Sequence, residues 1–206
     1  STQLLEQALF AATGVSGLGQ WAMGLANRGA SSTEIVRALR YGTDQSEAGK
    51  KAYQSYLQAY PKMDVFLKEG IFAGDSPELQ YQAYRNTVRE AAQRYNISNA
   101  LVTNDLIATY IEGRNAATEL VDRMNAAATA VATTPPETLS VLNQYYGVRP
   151  SDLVSFYLNP DLTEAELTKR ATAARIGTEA LRQQFDIQAP QAESLYQRGV
   201  TAQQAQ

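Results

Sequence analysis

The sequence predicts an all-α fold, a multi-helix array of about eight to ten short and medium helices, part bundle-like and part orthogonal. Three observations predict it. Apolar residues recur every three or four positions along most of the chain, the repeat of a single helix face. Glycines, prolines and Ser/Thr-x-x-Glu pairs stand at the ends of those periodic runs, where helices start and stop. No segment alternates apolar and polar residues for long enough to argue a strand.

Taken in order, residues 3 to 13 form the first helix, with Leu5, Ala8, Leu9 and Ala12 on one side and Gly14 as its stop. Gly17 to Arg28 is the second. Leu18, Trp21 and Leu25 make its stripe, Gly29 ends it, and the single tryptophan anchors the packing of this N-terminal part. Ser31 with Glu34 is a capping box that opens a helix through Ile35, Leu39 and Tyr41, stopped at Gly42. From Glu47 to Tyr60, Tyr53, Tyr56, Leu57 and Tyr60 repeat at helical spacing until Pro61. Met63 to Gly74 is bounded by glycine and reads as a loop or one or two helical turns. Pro77, tolerated in a first turn, starts a long helix with Tyr81, Tyr84, Val88, Ala92 and Tyr95 on one face and Arg85, Arg89, Glu90 and Arg94 on the other; Asn96 breaks it.

Asn104 to Glu112 is a shorter helix closed by Gly113. Asn115 caps the next, which points Leu120, Met124, Ala127 and Val131 inward and runs alanine-rich to Thr133-Thr134. The stretch from Thr134 to Phe185 then carries the most explicit punctuation. Pro135-Pro136 opens a helix closed by Gly147; a short one starts around Pro150 and stops before Asn159-Pro160; Thr163 caps a third, with Glu166 completing a capping box. Leu167, Ala171, Ala174, Gly177, Leu181 and Phe185 are the expected apolar face of that third helix. Pro190 opens a last short helix to Arg198, Gly199 stops it, and Thr201 reads as an N-cap whose helix barely starts before Gln206, so the natural chain is expected to continue. A domain boundary, if the chain is not one continuous domain, is expected in the 61–76 connection, between helical subdomains over 1–60 and 77–206.

Composition narrows the function classes. At 206 residues the chain can bury a real core. Lys+Arg 18 against Asp+Glu 21 gives a net charge of -3, with a pI near 5.1, so nothing draws the whole protein to phosphate or anionic lipid, and nucleic-acid binding is expected to be weak or indirect at most. There is no cysteine and no histidine, which removes disulfides, thiolate chemistry, the usual transition-metal ligands and the commonest general base. No cofactor, metal or small-molecule substrate is expected. Mean hydropathy is -0.34, and no apolar run approaches the roughly 20 residues of a membrane span. The start, STQLLEQALF, lacks the basic opening of a signal peptide, and Ser1 is read as following a removed initiator methionine.

Few residues invite chemistry. Glu193-Ser194 matches the glutamate-serine pair of lytic transglycosylases, in which an acid held in a sugar-binding groove protonates the glycosidic oxygen, but the glycine- and methionine-rich segment that should follow is missing. A solvated first-turn glutamate is the preferred reading, and no catalytic residue is assigned. The 12 tyrosines share stripes with Leu and Val and are read as core and helix-helix contacts rather than as stacking platforms for single-stranded nucleic acid. Arg37, Arg40, Lys50 and Lys51, and Lys169, Arg170, Arg175 and Arg182, are cationic clusters that could meet phosphate, read as solvated faces or i,i+4 partners, as with Glu166 and Arg170. The glycines match no phosphate loop, and Asn96-Ile97-Ser98 fits a glycosylation pattern that has no meaning without secretion. Residue chemistry alone names no function.

The order of motifs is more informative. Leu18-Gly19-Gln20-Trp21-Ala22, the Gly29 to Ile35 helix start and the tyrosine-rich helix after it resemble the opening of a module found in virion proteins of tailed bacteriophages. The second half resembles it further: Glu119 to Arg123, Pro135-Pro136-Glu137, Tyr146-Gly147-Val148, Asp152-Leu153, Asn159-Pro160-Asp161, Ala173 to Gly177, Ala192 to Leu195 and Gly199-Val200-Thr201 come in that order. An arginine-phenylalanine pair usual near Gly49-Lys50 is absent, and Ala116-Ala117 stands where serine-proline is usual. The resemblance implies a non-enzymatic structural component of a tailed phage particle, located in the virion after assembly in the host cytoplasm. It would be a tail-lumen protein of the tape-measure type, or an internal or neck protein expelled with the genome. Its implied partners are other virion proteins and further copies of itself. The alternatives are a virion-borne peptidoglycan-degrading enzyme resting on Glu193, and a helical nucleic-acid-binding adaptor.

Overall fold

The computed structural model describes residues 1–200 and Gln204. Among the described residues the protein is all-helical, with twelve α-helices and one 3-10 turn and no strand. The helices are α1 (Thr2–Thr13), α2 (Gly19–Asn27), α3 (Ser32–Tyr41), α4 (Glu47–Ala59), α5 (Met63–Lys68), α6 (Pro77–Arg94), α7 (Asn104–Glu112), α8 (Ala117–Thr133), α9 (Pro136–Tyr146), α10 (Leu153–Leu158), α11 (Glu164–Arg182) and α12 (Ala189–Gln197), with the 3-10 turn at Pro150–Asp152. The N-cap read at Thr201 lies outside the described residues.

Two compact units emerge: Ser1–Thr87 with Ile107–Asn115, and Val88–Leu106 with the chain from Ala116 on. The chain changes unit within α6, within α7 and again between α7 and α8, and not in the 61–76 connection. That stretch is no linker, because it has apolar side chains to bury: Met63 and Phe66 are fully enclosed in the first unit, and Phe66, Phe72 and Tyr81 meet ring to ring at 5.7 to 6.0 Å.

In the first unit, caps reach across the chain. Leu18 cannot cap α2, and Glu6 of α1 does so instead, accepting from the amides of Gly17 and, at 2.6 Å, Gly19. A side chain on Gly19 would strike the Thr2 carbonyl oxygen, so only glycine lets α1 and α2 approach this closely. The capping box of Ser31 and Glu34 forms with both halves, and Gly42 adopts the left-handed stop. Ser46 caps α4. On α1 the inner face is Leu9 and Thr13, with Leu5 half-buried, whereas Ala8 and Ala12 are exposed. Tyr56, Tyr60, Tyr81 and Tyr110 are buried outright, and Ile35, Leu39, Ile107 and Ile111 complete the interior. Each such aliphatic side chain contributes on the order of 1.5–3 kcal/mol on burial.

The chain between α7 and α8 departs from the sequence reading. Arg114, not Gly113, takes the left-handed stop, and the Asn115 side chain turns back to the Tyr110 carbonyl, so that Asn115 caps nothing.

In the second unit α10 packs on α8, and α11 packs on α9 and α12. The core joins Ala130, Val141, Leu142, Leu153, Phe156, Leu167 and Ala174, and a second cluster of Ala173, Ile176 and Ala192 sits under Tyr145 and Tyr146. Pro135, Gly147, Asn159 and Thr163 punctuate as expected. Thr163 accepts from the Glu166 amide, but the reciprocal half of the box is absent: the Glu166 carboxylate is drawn to Lys169 and Arg170 instead. Two apolar faces are also rotated from expectation. On α8 the buried set is Leu120, Arg123, Met124, Ala127 and Ala130, leaving Val131 exposed. On α11 the buried arc ends at Ala180, and Leu181 and Phe185 point to solvent. At Gly177 an added Cβ would overlap the Tyr145 hydroxyl, which is how α9 comes so near α11.

Candidate functional site

Glu193 sits on α12, half-buried and already engaged. Tyr146 at the end of α9 donates its hydroxyl to Glu193 Oε1 at 3.0 Å, and Lys169 Nζ of α11 lies 3.8 Å from the same oxygen. Lys169 also pairs with Glu166 at 3.0 Å, Glu166 with Arg170 at 2.9 Å, and the Arg170 guanidinium stands over the Tyr146 ring. Burial, then the hydrogen bond to Glu193, pushes the Tyr146 hydroxyl well above the usual tyrosine range, so it donates and does not ionise. Hydrogen bonds from Lys169 and Arg170 hold the Glu166 carboxyl below its ordinary value. The group is a polar clamp joining α9, α11 and α12. The Glu193 carboxylate takes one hydrogen bond, from Tyr146, and lies beside the Lys169 charge.

Of the eight residues in the two cationic clusters, Arg40, Lys50, Lys169, Arg170 and Arg182 enter ion pairs, while Arg37, Lys51 and Arg175 form none among the described residues. Arg40 grips Glu78 at 2.7 Å, Lys50 faces Glu47, and Arg182 pairs with Glu179. Lys62, singled out by no motif, bridges to Glu112 at 2.6 Å. The tyrosines act as staples: Tyr81 reaches the Pro61 carbonyl at 3.0 Å, Tyr84 that of Asn115 at 2.9 Å, and Tyr145 that of Ile187 at 2.7 Å. Stacking platforms would need open ring faces, and four of these rings are enclosed. Asn96 serves as the left-handed end of α6. Among the described residues no group of three or more His, Cys, Asp or Glu could hold a metal ion, and no helix is long and apolar enough to cross a membrane.

Two polar constructions escape the sequence. Glu78 is fully buried and accepts from Arg40 Nε at 2.7 Å, Arg40 Nη2 at 3.0 Å and the Tyr56 hydroxyl at 3.0 Å. Its hydrogen bond holds Arg40 above the ordinary arginine value, while burial, reinforced by the Glu78 charge, drives Tyr56 far above the ordinary tyrosine value. Arg123, also buried, donates to the Asn159 carbonyl at 2.8 Å and faces Glu119 at 3.5 Å. It floors a cleft of about 270 Å³ between α8 and α11, shared with Asp122, Tyr157, Glu164 and Arg175. Two cations and two carboxylates balance there, so the cleft selects no sign of ligand charge. A larger, open groove of about 690 Å³ lies among α1, α3 and the start of α6.

No family model, curated protein or solved structure matches this chain.

Proposed function

We propose that this chain is a non-enzymatic structural component of a tailed phage particle. It is an internal, neck or tail-lumen protein present in several copies, and it works through helix-mediated contacts with other virion proteins. The observation that carries the reading is where the resembling segments fall. Pro135-Pro136-Glu137, Tyr146-Gly147 and Asn159-Pro160 are helix starts and stops, and Ala173, Ala174, Ile176 and Gly177 belong to the buried face of α11, the helix on which α9 packs. The shared residues therefore specify a shape and not a reaction. Large apolar side chains left in solvent, among them Leu4, Phe10, Tyr41, Leu79, Val131 and Phe185, supply faces that a partner would cover.

A genome with an amber codon at Gln3 tests this. Its particles are expected to be incomplete or non-infectious, with rescue by protein supplied during assembly and none by protein added to finished particles. Normal infectivity would overturn the reading. Peptidoglycan clearing in a zymogram that disappears in Glu193→Gln would replace it with the enzymatic one.

A further inference from the structure

One protruding element and one groove on this chain are complementary. The protrusion is the end of α11. Gln184 takes the left-handed conformation with φ 66°, and the Phe185 amide closes on the Ala180 carbonyl at 2.8 Å, the pattern of a Schellman stop. Such stops ordinarily fold the residue in the Phe185 position back on an apolar side chain one turn earlier. Here that position is Ala180, too small to cover a phenyl ring. Phe185 is left 67% exposed, with Leu181 beside it at 46%. Asp186 follows, exposed and without an ion-pair partner among the described residues.

The groove is the one among α1, α3 and α6, with an apolar lining of Ala11, Ala12, Val36, Tyr41 and Leu79, the last two more than half exposed. Arg37 stands on its lining without an ion-pair partner among the described residues. The other ionisable groups lining it are Arg40, Tyr41 and Asp75. Arg40 is fixed by buried Glu78 and by the Asp75 backbone carbonyl, so the wall is preorganised and Arg37 is left as the cation of the lining outside an ion pair among the described residues.

We propose that Leu181 and Phe185 of one copy seat in the α1/α3/α6 groove of a second copy, with Asp186 paired to Arg37. The match that points to this occupant is two exposed apolar side chains at a helix end followed by a carboxylate without an ion-pair partner, against an apolar floor edged by a guanidinium without one. Reciprocal seating between two copies closes a two-fold dimer, and one-way seating propagates head to tail into a ring or a filament. The contact rests on the reading of the chain as a multi-copy particle component and names the surface through which copies meet.

Light scattering and sedimentation of the full chain over a concentration series test it. The mass is expected to rise above the 22.5 kDa monomer with concentration. Phe185→Asp should raise the concentration at half-association at least roughly tenfold. Arg37→Glu and Asp186→Arg should each weaken association, and the two reversals together should restore it, a rescue that misfolding cannot mimic. A monomer at every concentration, association indifferent to Phe185→Asp, or a double reversal no stronger than the single ones would overturn the contact. The first of these outcomes would leave particle membership standing, because amber-mutant infectivity reads that separately.

Discussion

Glu78→Gln removes one charge from the middle of the first unit with almost no change in volume. The carboxylate has no exposed surface and takes three hydrogen bonds, two from Arg40 and one from Tyr56. The amide can satisfy Tyr56 or part of Arg40, but its NH2 group faces a guanidinium that can only donate. Breaking a buried ion pair costs about 3–5 kcal/mol, against about 0–1 kcal/mol for an exposed one. The Arg40 side chain keeps 19% of its exposure, so water recovers part of its solvation and the loss should sit near the low end, at about 3 kcal/mol. With a urea slope of about 2 kcal/mol/M, the unfolding midpoint of the first unit should fall by about 1.5 M. Arg40→Met should cost a similar amount. The double variant Arg40→Met, Glu78→Met should be no worse than either single one, because the second charge removed is one already stranded. A loss under about 1 kcal/mol, or single losses that simply add, would refute the description of this pair as buried and mutually dependent.

Gly177→Ala places a methyl group on the Tyr145 hydroxyl and should cost about 1–3 kcal/mol through overpacking and the lost bond to the Ile187 carbonyl; Tyr145→Phe in the same background should recover part of it, and an unchanged melting temperature would contradict the close approach. Leu167→Ala should cost about 2–5 kcal/mol and Phe185→Ser less than about 0.5 kcal/mol in dilute solution, an order that denaturant titration would reverse if α11 used the face expected from its sequence. Asp44 accepts from Trp21 Nε1 at 2.8 Å and from the Ser46 amide, which holds its carboxyl below the ordinary aspartate range. Its contribution is therefore complete above the unfolded value of about 3.9 and is lost as pH falls through the lower folded value. The emission of the only tryptophan should stay constant from neutral pH down to that range and change below it, and a change confined to pH 5–7 would exclude Asp44 as the cause.

The helices were legible because their ends are written locally. Ser31 with Glu34, Pro135 with Gly147, and Asn159 before Pro160 each act within four residues or so of the backbone they cap. Which face of a helix turns inward is decided by neighbours far along the chain, and there local periodicity misleads. Val131 and Ala130 fit the α8 repeat about equally, and the packing of α10 on α8 selects Ala130 and draws in Arg123, whose aliphatic stem fills the space while its head finds the Asn159 carbonyl. Leu181 and Phe185 extend the α11 stripe in sequence, but the buried arc stops at Ala180 and Gln184 turns the chain. Glu78 looked like any first-turn glutamate; its partners Tyr56 and Arg40 lie 22 and 38 residues away, and no spacing rule joins them. Glu193 carried a dipeptide signal, but the hydroxyl that occupies it belongs to Tyr146, and that pairing is visible only once α9 and α12 flank α11.

The most direct measurement is quantitative mass spectrometry of density-purified particles from a phage that carries this gene. Peptides from both units, at one fixed copy number per particle and above one copy, are the expected result. Peptides confined to the lysate, with none banding with the particles, would contradict the central claim that this chain is built into the virion.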